Sequence, residues 1–419
     1  MMGRRCVLHV GMHKTGSSSI QNALSGHCDD SLYYLDLGQP NHSVPLVSAL
    51  MPDLQNYPQV KKWNLSNEQA DDLKERSINK LYQGLRFSLD KDVIISAEYF
   101  SQPGAPAKKN LSRLHDILKE YFDEVRVIAY IRSPKSFMES ALQERIKGGD
   151  TKITLKSLYP HYRGRLEKFY EQFGGQNVTL VDYEPANFPA GSVVSDFCRR
   201  VGVADDFSKT ISSNEKMGYE AIALLYSYNF FRSFATPHVS KIFYPRVFLD
   251  NLQETSSSSF SLDETVVDEI VAANKEDISW VEEAKGSVFH AASGSKGYDV
   301  SSLDELLTFT NKNIEFYEQC KGLPEFDASL PRHDIFENFL TSYEASCFPL
   351  RRDDFNTLRN VAEKPLVAFR EFSKALYDSG LVSQSKLILD LALSQYPGAK
   401  ALQDLNSQVC SALNDLGEN

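Results

Sequence analysis

The sequence predicts an α/β fold: a mainly parallel sheet flanked by helices, followed by an all-helical C-terminal region. Three observations predict it. Residues 6–10, 93–95 and 124–131 are apolar-rich runs, the pattern of buried parallel strands, and 177–181 reads as a fourth strand. Segments of helical period separate them, among them residues 67–85, 111–121 and 162–173. Beyond about residue 300 helical patterns dominate and no strand is strong.

The first strand runs into Gly11-Met12-His13-Lys14-Thr15-Gly16-Ser17-Ser18-Ser19. Ile20, Ala23 and Leu24 then fall on one face of a helix. Strand, glycine-bearing turn and helix is the layout of a phosphate cradle, because the helix N-terminus offers free N–H groups and a dipole that favours an anion. Gly11 and Gly16 permit close backbone approach, Lys14 adds a mobile positive charge, and the serines add hydroxyl donors. Lys14 precedes Gly16, whereas the ATP/GTP loop G-x-x-x-x-G-K-[ST] places its lysine after the last glycine. That spacing argues against ordinary Mg²⁺-nucleotide hydrolysis.

Residues 31–38 read as a strand or irregular segment, and residues 39–43, with His42, as a turn. A charged helix over 67–85 comes next. The strand at 93–95 ends on Ser96-Ala97-Glu98, so Glu98 stands at a strand's carboxyl end, where ligands bind in open α/β sheets. A glutamate there also reads as a cap for the helix after the strand. The strand over 124–131 leads into Arg132-Ser133-Pro134, with proline early in the next helix, where its missing N–H costs nothing. Ser140 lies eight residues after Arg132, and both are expected to face one pocket. The strand over 177–181 ends at Asp182-Tyr183-Glu184, and residues 188–197 enter a helix that stops near Gly202. A helix is expected from Tyr219 to Phe231, and a surface loop at Ser256–Ser259.

The chain has 419 residues, enough for two or three domains, with 42% hydrophobic and 24% charged residues. A net charge of -11 speaks against bulk binding to nucleic acid or an anionic membrane. Six scattered cysteines with no paired spacing read as reduced core thiols, and no zinc-ligand pattern appears. Neither a leader pattern nor an apolar stretch of roughly 18 residues is seen, so a cytoplasmic protein without a transmembrane segment is expected.

The G-x-x-K-T-G-S-S stretch at 11–18 resembles the 5′-phosphosulfate loop of sulfotransferases that use 3′-phosphoadenosine 5′-phosphosulfate (PAPS). Arg132-x-Pro134 with Ser140 resembles their second signature, which binds the 3′-phosphate. Residues 188–197, 212–216 and 274–280 are similar to later parts of bacterial members acting on glycans. The resemblance covers roughly residues 5 to 290, sharply at the two signatures and loosely elsewhere. It implies a P-loop kinase-like sheet in a PAPS-binding domain over 1–300, and a C-terminal helical region over 301–419. Within that region residues 368–402 resemble one tetratricopeptide-type hairpin (Leu376, Tyr377, Gly380, Leu389, Ala392, Pro397), a pattern a plain helical hairpin shares.

The function so implied is transfer of a sulfuryl group from PAPS to a hydroxyl or amine, most readily of a saccharide, releasing adenosine 3′,5′-bisphosphate without a metal. His13, Lys14, Thr15, Gly16, Ser17, Ser18, Arg132 and Ser140 would bind the nucleotide. Lys14 would also act in catalysis, with Glu98 as first and His42 as second choice of base. The expected partners are a glycan or glycolipid acceptor and, through the C-terminal helices, a second copy or another protein. Rival readings are a nucleotide kinase-like enzyme, which needs Mg²⁺, and a non-catalytic scaffold.

Overall fold

Five strands form one all-parallel sheet in the computed structural model: β1 (Arg5–His9), β2 (Leu32–Tyr34), β3 (Asp92–Ser96), β4 (Glu124–Ile131) and β5 (Val178–Asp182). Their order is β2-β3-β1-β4-β5, so β1 is central. The structure describes residues 3–57, 60, 63, 65–150, 152–203, 217–235, 256, 258–289, 297–306, 365–378, 382–395 and 397–416.

Strand periodicity sorts the side chains onto two faces. Val7, Ile94, Ile128, Tyr130 and Val181 form one core with α1 (Ser17–Leu24) and α7 (Val193–Val201), through Ile20, Leu24, Val194 and Phe197. Cys6, Leu8, Val93, Ile95, Val127 and Ala129 alternate with them and are also buried. Helices α4 (Ala105–Tyr121), α6 (Tyr162–Phe173) and α10 (Lys275–Lys285) pack against β4 and β5. Covering both faces explains why β1, β3 and β4 read as apolar runs, whereas β5, at the sheet edge, buries only Val181.

Local chemistry places the helix ends. Before α3 (Asn67–Phe87), Ser66 accepts from the Gln69 N–H and Gln69 reaches back to the Ser66 N–H, a capping box. α7 is capped by Ser192 and ends at Gly202 in the left-handed region, as the sequence predicts. α4 begins six residues before the expected residue 111. Its Pro-Gly-Ala-Pro start reads as a turn, but Pro106 sits in the first helical turn, where no N–H is needed.

The described residues fall into two units. The first contains Met1–Met138, Tyr159–Glu215 and Val267–Ser293, and holds the five-stranded sheet. The second contains Glu139–Leu158, Lys216–Val266 and Gly294–Asn419. In it β6 (Ser259–Leu262) and β7 (Gly297–Val300) pair in parallel. Ser259 therefore starts a strand where a loop was expected. Ser256 and Ser258 donate to the Glu220 carboxylate of α8 (Tyr219–Ala235), so the serine run is fastened by hydroxyl bonds that leave no periodic signal. At the C-terminus α11 (Pro365–Asp378), α12 (Val382–Gln395) and α13 (Lys400–Leu416) pack in sequence, with Leu376, Leu389, Ala392, Leu402 and Val409 buried. Gly380 and residues 212–216 lie outside the described residues.

Of the four described cysteines, Cys6 and Cys198 are buried, but Cys28 is exposed and Cys410 half-buried, so the expectation of core thiols holds for two of them. No group of histidine, cysteine and acidic residues that could hold a metal occurs among the described residues. No described helix is long and apolar enough to cross a membrane.

Candidate active site at the carboxyl ends of β1, β3 and β4

The loop after β1 stays tied to β4. The N–H of Met12 donates to the Tyr130 carbonyl at 2.7 Å, and the N–H of Tyr130 to the Gly11 carbonyl at 2.6 Å. Thr15 closes the turn by donating its hydroxyl to the Met12 carbonyl at 2.6 Å. Gly11 and Gly16 have φ of 85° and 74°, and Lys14 itself has φ of 70°. A lysine in the left-handed region costs roughly 1–2 kcal/mol. Such strain is a feature of ligand-binding turns.

α1 opens at Gly16, and no side chain caps it among the described residues. Its first N–H groups are therefore directed to whatever lies ahead of the helix. The Ser17 hydroxyl is buried and has no hydrogen-bond partner among the described residues. A buried unsatisfied hydroxyl at an uncapped helix start fits an anion with acceptor oxygens. Ser18 is exposed, while His13 and Lys14 are partly buried.

The glycines show what crowds the loop. A Cβ on Gly11 would lie 3.3 Å from the Glu98 Cγ. A Cβ on Gly16 would lie 2.8 Å from the Val193 Cγ1 and 3.3 Å from the Tyr183 hydroxyl. The Arg132 guanidinium in turn lies 4.5 Å from the centre of the Tyr183 ring. Tyr183 thus joins the loop to Arg132. At that distance the ring face attracts the cation. Arg132 further donates to the Ser136 hydroxyl at 3.2 Å. Tyr183 and Val193 were not singled out from the sequence; the available signal was Tyr183's place just past a strand's carboxyl end.

Glu98 opens a short 3₁₀ turn, Glu98–Ser101, directly after β3. Ser101 donates its hydroxyl to the Glu98 carbonyl at 2.8 Å, and the Tyr99 N–H donates to the Ser43 hydroxyl at 3.2 Å. From α6, Lys168 donates to the Gln102 carbonyl and Arg165 to the Ser101 carbonyl. Burial draws the Lys168 ammonium down to about 7, aided by the cations Arg165 and Lys108.

Beneath the loop lies a buried polar hub. The Ser96 hydroxyl meets His9 Nδ1 at 2.8 Å and accepts from Gln21 at 3.1 Å. The Ser96 N–H donates to His42 Nδ1 at 3.1 Å. His42 precedes α2 (Ser43–Leu50) and is 0% exposed, so the expected loop histidine is a core group. Burial lowers both His9 and His42 to about 3, so both imidazoles are neutral at pH 7. Ser140 is partly buried midway along α5 (Pro134–Lys147), in the stretch of that helix belonging to the second unit.

Gly11, Lys14, Gly16, Ser17, Glu98, Tyr183 and Arg132 thus gather around the carboxyl ends of β1, β3, β4 and β5. His42 stands behind them. The arrangement can bind an extended anion at a helix start, and it holds a carboxylate against the same loop.

No family model matches the sequence, and no curated protein matches it. Among solved structures the chain is similar to the crystal structure of a sulfotransferase from Alicyclobacillus acidocaldarius, at 17% identity and a TM-score of 0.33, over 54% of this chain and 92% of that one. It is also similar to the sulfotransferase domain from the curacin biosynthetic pathway, at 16% identity and a TM-score of 0.30, over 51% of this chain and 79% of that one.

Proposed function

We propose that this chain is a PAPS-dependent sulfotransferase. The observation that carries the reading is the contact series Gly16–Tyr183–Arg132, which joins a cradle at a helix start to a second cation suited to phosphate. The fit to PAPS rests on the unpartnered buried Ser17 hydroxyl and on the N–H groups at the uncapped start of α1, both suited to an anion's acceptor oxygens.

Bound PAPS supplies an activated sulfuryl group, and adenosine 3′,5′-bisphosphate is the product. Lys14 and the N–H groups at the start of α1 hold the 5′-phosphate and stabilise the negative charge that grows on it as the bond to sulfur breaks. Arg132, with Ser140, binds the 3′-phosphate and fixes orientation. Glu98 accepts the proton of the acceptor hydroxyl as that oxygen bonds to sulfur. His42 is the weaker choice of base, because its ring is buried and its Nδ1 is engaged by the Ser96 N–H. The acceptor in this reading is a saccharide, on a glycan or glycolipid, and the setting is cytoplasmic; the resemblance to bacterial members supports both. The division into a nucleotide domain over 1–300 and a helical region over 301–419, the latter serving self-association or a partner, belongs to the same proposal.

Calorimetry tests the nucleotide. Adenosine 3′,5′-bisphosphate should bind at least tenfold more tightly than AMP or ATP with no metal added, since a charge-assisted contact contributes about 1.5–3 kcal/mol. Equal affinity for AMP, or an absolute need for Mg²⁺, would overturn the reading and favour a kinase-like enzyme.

A further inference from the structure

Helix α10 lies far from Arg132 in the chain, yet side chains at both of its ends act on the residues around that arginine. In its first turn the Asp277 carboxylate accepts from the N–H groups of Tyr162 and Arg163, both at 2.8 Å, and from the Tyr159 hydroxyl at 2.9 Å. These N–H groups open α6. The position before them, His161, has φ of 51° and gives no side-chain cap. A helix start leaves its first N–H groups unsatisfied. Asp277 supplies the cap from another helix, and its charge suits that end of the dipole.

With α6 so seated, the fully buried Tyr162 donates its hydroxyl to the Arg132 carbonyl at 2.6 Å. At the last turn of α10, Lys285 donates to both oxygens of Asp182, at 2.9 and 2.7 Å. The Lys285 side chain is only 1% exposed and also donates to the Val288 carbonyl at 3.1 Å, so its ammonium is held in place, while Asp182 keeps partial access to solvent. Asp182 ends β5 and is bonded to Tyr183, the ring beneath the Arg132 guanidinium. Phe289, just past α10, closes the frame: its ring packs 5.3 Å from that of Tyr162 and 4.2 Å from the Lys285 ammonium.

We infer that α10 is a positioning brace for Arg132: Asp277 acts through Tyr162 on the arginine's backbone, and Lys285 acts through Asp182 and Tyr183 on its guanidinium. This rests on reading Arg132 as the ligand of the nucleotide's 3′-phosphate. An arginine on a strand end would otherwise sweep a wide arc, and a bidentate phosphate contact needs one orientation.

The test is the ratio of affinities for adenosine 3′,5′-bisphosphate and AMP, measured by calorimetry on the full chain. Asp277→Ala and Lys285→Met should each lower that ratio by roughly tenfold, the scale of one charge-assisted contact, with AMP affinity within about twofold of the original. Tyr162→Phe keeps the buried ring and removes only the bond to the Arg132 carbonyl. It should lower the ratio in the same direction, and it serves where Asp277→Ala fails to fold. Variants that weaken both nucleotides equally, or that leave the ratio unchanged while lowering the melting temperature, would make α10 a structural prop and overturn the inference. An original protein that does not distinguish the two nucleotides removes the reading beneath it, a failure visible before any variant is made.

Discussion

Lys14, in the loop after β1, and Arg132, just past β4, stand in different surroundings, and the proposed reaction gives them different work. Lys14 sits in the left-handed region inside the glycine turn, ahead of an uncapped helix. The Arg132 guanidinium lies 4.5 Å from the centre of the Tyr183 ring. In the proposed transfer, charge builds on the 5′-phosphate and not on the 3′-phosphate, so on that reading only the lysine meets the transition state. Lys14→Ala should lower kcat by two or more orders of magnitude, and Arg132→Ala should chiefly raise the nucleotide KM. Glu98→Gln keeps the shape beside Gly11 and removes the proton acceptor. It should cost roughly 10²–10⁴-fold in kcat with bisphosphate binding nearly intact. Steady-state rates on one identified acceptor check all three. A near-normal kcat for Glu98→Gln would end its part as base, and matching KM effects for the two cations would end the division of labour.

The element that decides the site is the turn joining β1 to α1, and its tolerance is set by neighbours distant in sequence. Gly16 carries φ of 74°, and an added Cβ would stand 2.8 Å from Val193 of α7. Gly16→Ala therefore meets a backbone penalty of about 1–2 kcal/mol and a clash with a core side chain. It should lower the melting temperature and abolish bisphosphate binding together. Gly202→Ala is the comparison: φ is 81° there too, but nothing lies within 4 Å of the added atom, so stability should fall while binding persists. Normal binding by Gly16→Ala would show that α7 yields and that the turn is not held as described.

Across the whole molecule, the hub of His9, Ser96, Gln21 and His42 makes stability depend on pH. Both imidazoles are held neutral in the folded state, near 3, by burial. In the unfolded chain they take up protons below about 6.5. The unfolded state then binds more protons, so stability is full above about pH 6.5 and falls as the pH drops toward 3. At pH 5 each contributes a loss of about 2 kcal/mol, the free energy of roughly 1.5 pH units. Urea unfolding at pH 7 and pH 5 measures this directly. A midpoint unchanged between the two would mean that the histidines are charged or exposed in the folded protein.

The sequence by itself determined the sheet strands β1 and β3 to β5, the helices between them, and the loop at 11–18, because each is written in local signals. Burial on both faces makes an apolar run, helical period makes a stripe, and a tight turn with positive φ at positions 11 and 16 favours glycines. Arg132 and Glu98 were legible as strand-end residues for the same reason. Tertiary structure alone decided the rest. That Tyr183 links Gly16 to Arg132, that Glu98 packs on Gly11, and that Asp277 caps a helix more than a hundred residues before it are long-range contacts with no period or spacing. The burial of His42 is of that kind: a histidine in a polar turn looks solvent-facing until α2 and β3 close over it. The short β6, four residues of alternating serine and apolar side chains, becomes a strand only when β7 pairs with it.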